Sequence, residues 1–265
     1  MKLFSLTFCL IVSCITACTW KVPPPKNVAI TNDTLNYTYK TFKERASDCG
    51  TKPDSGCTVI KFVYPVFKSQ LVLNDSVIHK LIAHSGSKKI EISLKQVAKN
   101  FLSDYTRSIK KLNNPPIYKL YGNTKIIRQD SSLITLETAT FCYTGGIHPL
   151  YNTQFLNWNT KTNKKIDLPD LLKDNKQDSL KEIAEGIFRK NEKLYNNASL
   201  YNDYFFKNGK FALNNNYLIT PSGIRFFYNQ HEIKPYEAGI TDLFIPYGEI
   251  KSLLRPNSIV TQYIK

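Results

Sequence analysis

The chain carries no assembled catalytic signature. A serine-hydrolase elbow, a P-loop, a dinucleotide fingerprint and a HExxH zinc helix are all missing, which removes the reaction classes most readily read from sequence. Histidine is scarce, with four in 265 residues. His79 and His84 stand five apart in a helical stretch without sharing a face, His148 follows a Gly-Gly pair, and His231 precedes Glu232. A pairing of His148 with Glu232 or Glu237 is the acid–base arrangement these leave open. Carboxylates are plentiful elsewhere, yet nothing in their spacing selects a glycosidase pair. The cysteines lack the neighbouring ligands a metal would need, so neither a metal site nor a cofactor is expected. Beyond the first seventeen residues there is also no apolar run long enough to span a bilayer.

Those seventeen residues read as an export signal. Met1-Lys2 supplies one positive charge, and Leu3 to Ala17 is apolar apart from Ser and Thr. Ile15-Thr16-Ala17-Cys18 places an aliphatic residue three before a cysteine with small residues between, the pattern of a bacterial lipobox; Cys9 and Cys14 lack it. Residues 1–17 are therefore expected to be cleaved as a lipoprotein signal peptide, leaving Cys18 as the lipidated first residue. Several acyl chains on one residue, at about 0.8 kcal/mol per buried methylene, give stable anchoring to the membrane where one chain would be marginal. Thr19 stands where an inner-membrane retention signal would have Asp. The expected location is extracytoplasmic: the outer membrane facing the periplasm in a Gram-negative cell, or the outer leaflet of the plasma membrane in a Gram-positive one. Residues 18–35, with Pro23-Pro24-Pro25, read as an extended tether.

The formal charge is +15, and loss of Lys2 with the leader removes one unit. In the cytoplasm such a charge would suggest nucleic acid. Export excludes that partner and substitutes phospholipid head groups, lipopolysaccharide, teichoic acid or peptidoglycan carboxylates. An AT-rich genome, which inflates Lys and Asn, explains the same charge without a ligand. Hydrophobic residues at 42% and aromatics at 12% indicate a folded, β-rich domain. Between Cys49 and Cys57 the sequence Gly-Thr-Lys-Pro-Asp-Ser-Gly is turn-forming, and in an oxidising compartment these two are expected to form a disulfide. Cys142, inside a strand-like run, is expected to be a buried free thiol.

Along the chain, 58–67 is strand-like, followed by helical stretches at 74–84 and 93–112. In the second, Leu94, Val97, Ala98, Phe101, Leu102, Tyr105 and Ile109 form one apolar stripe. Pro115-Pro116 closes this part. Strands are then expected at 117–121, 125–129 and 133–143, at 153–159 and 164–168, at 211–219 and 224–228, and at 242–245. A helix opening near Ser179 runs to about Glu192, and a short one covers 248–254. The order gives an α+β fold with mostly antiparallel sheets, packed helices and two closely associated halves: an N-terminal α+β half at 36–116 and a C-terminal α+β domain at 117–265.

Several motifs in the second half occur together. Thr144-Gly145-Gly146-Ile147-His148-Pro149 follows a long strand, Leu168-Pro169-Asp170-Leu171-Leu172 follows a hairpin, and Tyr236-Glu237-Ala238-Gly239 precedes Ile245-Pro246-Tyr247. In this order they resemble the RsiV-like/PdaC-like extracellular domain family, shared by lysozyme-sensing anti-sigma factors and the region preceding the catalytic domain of a peptidoglycan deacetylase. The resemblance spans about 117–254 and more thinly 36–114. It implies an α+β domain with an envelope role; this chain has neither an anti-sigma region nor a deacetylase domain, and lysozyme binding does not carry over.

The expected function is a lipid-anchored, non-catalytic binding module whose partner is a cell-wall glycan or an envelope or host protein such as lysozyme. The alternative is a peptidoglycan hydrolase or deacetylase, which needs an exposed His148 within hydrogen-bond reach of an acid in a cleft. His148, Tyr236 and Glu237 are the candidate binding residues. Trp158, Tyr143, Tyr151 and Tyr228 either stack on sugars or pack in the core. A basic surface would slow encounter with basic lysozymes.

Overall fold

The computed structural model describes residues 35–83, 93–112, 115–130 and 132–264. The expected leader, Cys18, nearly all of the tether and His84 lie outside them.

The larger sheet has six strands in sequence order: β1 (Tyr37–Arg45), β2 (Val59–Phe67), β3 (Lys119–Asp130), β4 (Leu133–Tyr143), β5 (Leu150–Asn159) and β6 (Lys164–Lys165). All neighbours run antiparallel except β2 and β3, which are parallel. A parallel pair cannot be joined by a tight hairpin; here the crossover contains α1 (Leu71–Ala83) and α2 (Leu94–Ile109). Leu73, Val77 and Leu81 of α1 and Leu94, Val97, Ala98 and Phe101 of α2 are buried against the sheet, as the three- and four-residue spacing of α2 requires. Ser93 caps α2, its Oγ accepting the Gln96 N–H at 3.2 Å.

The smaller sheet is β7 (Tyr217–Ile219), β8 (Gly223–Tyr228) and β9 (Thr241–Pro246), all antiparallel. With α3 (Leu168–Leu171), α4 (Gln177–Asn191) and α5 (Tyr247–Ile250) it encloses the largest apolar cluster, centred on Leu180, Phe188, Phe211, Phe226 and Ile245. This is the mixed α+β architecture expected. The expected boundary at 116 falls inside the larger sheet, which draws β1 and β2 from one side of it and β3 to β6 from the other.

Particular elements differ from expectation for local reasons. Strand β1 carries Lys40, Lys43 and Arg45 among exposed Tyr37 and Tyr39, so it has no apolar face to announce it. The strands expected at 117–121 and 125–129 form a single β3, with a register shift between Ile126 and Arg128. Gly122 stays in that strand because a Cβ there would lie 2.5 Å from Phe62 Cδ1 and 2.8 Å from Leu81 Cδ2; the glycine lets β2 and α1 close over β3. The strand expected at 164–168 stops at Lys165 because Asp167 and Asp170 turn the chain into α3, the Asp170 carboxylate accepting the Asp167 N–H at 2.8 Å. Helix α4 begins two residues before Ser179, and only the last three residues of 211–219 pair as a strand.

Cys49 and Cys57 form the expected disulfide, with 5.4 Å between their Cα atoms. Both are buried beside Ala46 and Tyr105. Lys119 of β3 donates to the carbonyls of Asp54 and Cys57, and Lys43 of β1 meets Asp54 at 2.7 Å, so the loop is held to the sheet from two strands. The hydrogen bond from Lys43, partly opposed by desolvation, keeps the Asp54 carboxyl below its usual range.

Cys142 is free and buried, and burial raises its thiol to about 11. Two units above the ordinary thiol leave about a hundredfold less thiolate. Modification by an aromatic disulfide reagent at pH 8 is therefore expected to be at least that much slower in the native protein than in denaturant. Equal rates would mean that Cys142 is accessible.

Candidate functional site

Strand β5 acquires a strand partner on its outer edge only at its end, where β6 pairs with Trp158 and Asn159. Upstream, asparagine side chains take the place of a strand. Asn216 accepts the Phe155 N–H at 2.9 Å and donates to Thr153 O at 2.8 Å; Asn229 accepts the Thr153 N–H at 2.6 Å and donates back to Thr153 O at 3.1 Å. From β5 itself, Asn157 donates to Tyr217 O at 2.8 Å and accepts the Ile219 N–H at 3.1 Å and the Thr135 hydroxyl at 3.3 Å. An amide offers the same donor and acceptor as a peptide group, so these three buried side chains join the two sheets.

Where this stitching ends, a cleft of about 740 Å³ opens. Its walls are the start of β5, the C-terminal turn of α1, Lys165 and the loops 214–216 and 229–232. Half of its fourteen lining residues carry side-chain amides, which both donate and accept and so suit hydroxyl and acetamido groups. Thr153 and Phe155 turn their backbone groups outward to the asparagines; by the two-residue period of an antiparallel strand Tyr151 turns its N–H and C=O the same way, into the cleft. The Tyr151 ring is 54% exposed and meets Phe141 edge-on at 5.1 Å, with Phe141 stacked on Tyr121 at 5.9 Å. This aromatic row leads from the cleft rim onto the sheet face away from α1 and α2.

Charge in the cleft is unevenly satisfied. Glu232, the single carboxylate among its described lining residues, accepts Asn214 Nδ2 at 2.8 Å on one oxygen and the Asn229 N–H at 2.7 Å on the other. Lys165 pairs with Asp167 at 2.5 Å, whereas Lys80 donates to Gln154 Oε1 at 3.2 Å. Burial, and then the charge of Lys165, lowers the Lys80 pKa against an opposing effect of Asp167.

The sequence-selected residues sit at one end of this cleft. His148 is exposed and stacks on Tyr236, with ring centroids 4.5 Å apart and planes 15° apart. The Tyr236 hydroxyl donates to Pro149 O at 3.4 Å, and its carbonyl accepts Gln230 Nε2, itself part of the cleft wall, at 2.7 Å. Gly145, at φ +90°, makes the turn that presents His148 and packs on Pro116. Glu237 is exposed in the short 3-10 turn 236–238 and, among the described residues, forms no hydrogen bond with His148. His231, at φ +64°, lies edge-on to Phe205. Trp158 and Tyr228 are buried in the core, while Tyr143 is half-buried on β4. Sequence reading missed the amides of the cleft and Lys80; their polar character was visible, but their convergence from five segments was not.

Residues 169–248 match one family model, DUF3298, described as a protein of unknown function. The DUF3298 match runs from α3 into α5, and so contains the 214–216 and 229–232 walls of the cleft and the Tyr236 turn, but neither α1 nor β5. The fold is shared more widely. A crystal structure of a DUF3298 family protein from Pseudomonas aeruginosa PAO1 superposes with a TM-score of 0.68 at 20% identity, covering 85% of this chain and 96% of that one. A member of the same family from Bacteroides fragilis NCTC 9343 gives 0.65 at 22% identity, covering 87% and 98%. Both sheets of the present chain thus belong to a fold known in DUF3298 proteins. No curated protein matches the sequence.

Proposed function

We propose that the protein is a non-catalytic binding module of the bacterial envelope that holds a cell-wall glycan in the amide-lined cleft. The observation that carries this reading is the cleft itself, open, rich in paired donors and acceptors, and rimmed by the exposed Tyr151. Carbohydrate surfaces present hydroxyl and acetamido groups around apolar ring faces, and amides with an aromatic rim answer both. Glycoside hydrolysis by the usual route needs two carboxyl groups across the bond, and the described lining of the cleft holds one, Glu232. The deacetylase alternative loses support in the same way, since His148 stacks on a phenol and, among the described residues, meets no acid.

The module is anchored by a lipid on Cys18 and belongs with the RsiV-like/PdaC-like extracellular domains. The lipobox and the motifs at 144–149, 168–172 and 236–247 support those two assignments. In a Gram-negative cell the anchor lies in the outer membrane facing the periplasm; in a Gram-positive cell it lies in the outer leaflet of the plasma membrane.

Co-sedimentation of the purified protein with peptidoglycan sacculi at low and high salt tests this reading. Retention is expected to persist at high salt and to fall several-fold in Tyr151→Ala, consistent with about 0.5–1.5 kcal/mol for an aromatic contact. Binding that disappears with salt would reduce the interaction to the charge of the chain. No binding at either salt would reject the glycan and redirect the search to protein partners, lysozyme first.

A further inference from the structure

Of the two cations of the cleft, one is paired with a described acid and the other is not. Lys80 and Lys165 both line it. Asp167 is taken by Lys165, and Glu232 is taken by Asn214 and Asn229. Lys80 has no carboxylate partner among the described residues; its ammonium, partly withdrawn from water, rests on the neutral Gln154 amide. A partly buried ammonium without a counter-ion has lost hydration that a neutral amide replaces only in part. An anion arriving beside it restores a charge-assisted hydrogen bond. That the lysine is held toward deprotonation by burial and by Lys165 fits a site whose counter-ion comes from outside.

We infer that the cleft selects an N-acetylated saccharide bearing a carboxylate, with Lys80 receiving the carboxylate. This rests on the reading that the cleft binds glycan, and it names which glycans.

The test is calorimetric titration of the purified full chain with two disaccharides, di-N-acetylchitobiose and N-acetylglucosaminyl-N-acetylmuramic acid, which differ by one lactyl carboxylate. The acidic disaccharide is expected to bind about tenfold tighter, the scale of one charge-assisted hydrogen bond. Lys80→Met, which keeps most of the apolar stem, is expected to bring the two affinities together. Lys80→Arg is expected to preserve the preference. Lys111→Met, an exposed control beyond α2 with the same loss of net charge, is also expected to preserve it. Equal affinities in the parent protein, or a preference that survives Lys80→Met, would overturn carboxylate selection while leaving glycan binding intact. Failure of both disaccharides to bind would overturn this inference together with the glycan reading beneath it.

Discussion

Asn157→Ala is expected to lower the unfolding free energy by about 3–5 kcal/mol, because it removes the partner of several buried groups at once, each costing about 1–3 kcal/mol when stranded. The side chain is 3% exposed, and its amide serves the carbonyl of Tyr217, the N–H of Ile219 and the hydroxyl of Thr135. The first two belong to the smaller sheet and the third to the larger, so the variant loosens the joint as well as a strand. Water entering the vacated space restores part of the loss, which keeps the figure below the full sum. Asn215→Ala provides the comparison: Asn215 is exposed and, among the described residues, forms no hydrogen bond through its side chain, so its change is expected to stay within about 0.5 kcal/mol. Equilibrium denaturation of the two variants decides the matter. A loss in Asn157→Ala no larger than in Asn215→Ala would mean that apolar packing alone joins the sheets.

Removing the disulfide ranks next. The bond closes a short loop, with a sequence separation of 8, for which chain-entropy arguments give about 2.5 kcal/mol. In a chain of this size that corresponds to a fall of roughly 5–10 °C in Tm. The double variant Cys49→Ala/Cys57→Ala should show it in a thermal scan, and the parent protein should show the same fall under reductant. Because Lys43 and Lys119 grip the loop independently of the sulfurs, the loop is expected to remain docked on the sheet at 25 °C. Protection of the Ala46 amide, which donates to Thr58 O at 3.0 Å, would report that docking in hydrogen exchange. Loss of protection there would show that the covalent link is what holds the loop down.

The sequence was informative where one chemistry governs a whole segment. Helix α2 is a single apolar stripe with a serine in front of it, and β4 is an unbroken run of strand formers; both were legible because local propensity and burial agree in them. The disulfide was legible because turn residues lie between its cysteines. Legibility failed where the partner of a residue comes from far along the chain. Gly122 and Asn123 read as a break between strands until Phe62 and Leu81 are seen occupying the space a side chain would need. Asn157, Asn216 and Asn229 look like the residue of a compositional bias, since an asparagine announces a turn or a surface in its own neighbourhood and says nothing about a peptide group sixty residues away. The candidate site followed the same rule. Its His148–Tyr236 flank came from recognisable motifs, whereas its amide walls are assembled by tertiary structure alone.

A sheet that ends in bare peptide groups can be copied by the next molecule, and natural folds block this at their edges. At β1 the charges of Lys40, Lys43 and Arg45 serve that end. At Thr153 and Phe155 of β5 the groups that an incoming strand would seek are occupied by side chains fixed to another part of the same fold. Asn216 and Asn229 thus cap a lattice as well as join two sheets, and variants that free this edge would create a template for polymerisation alongside any loss of stability.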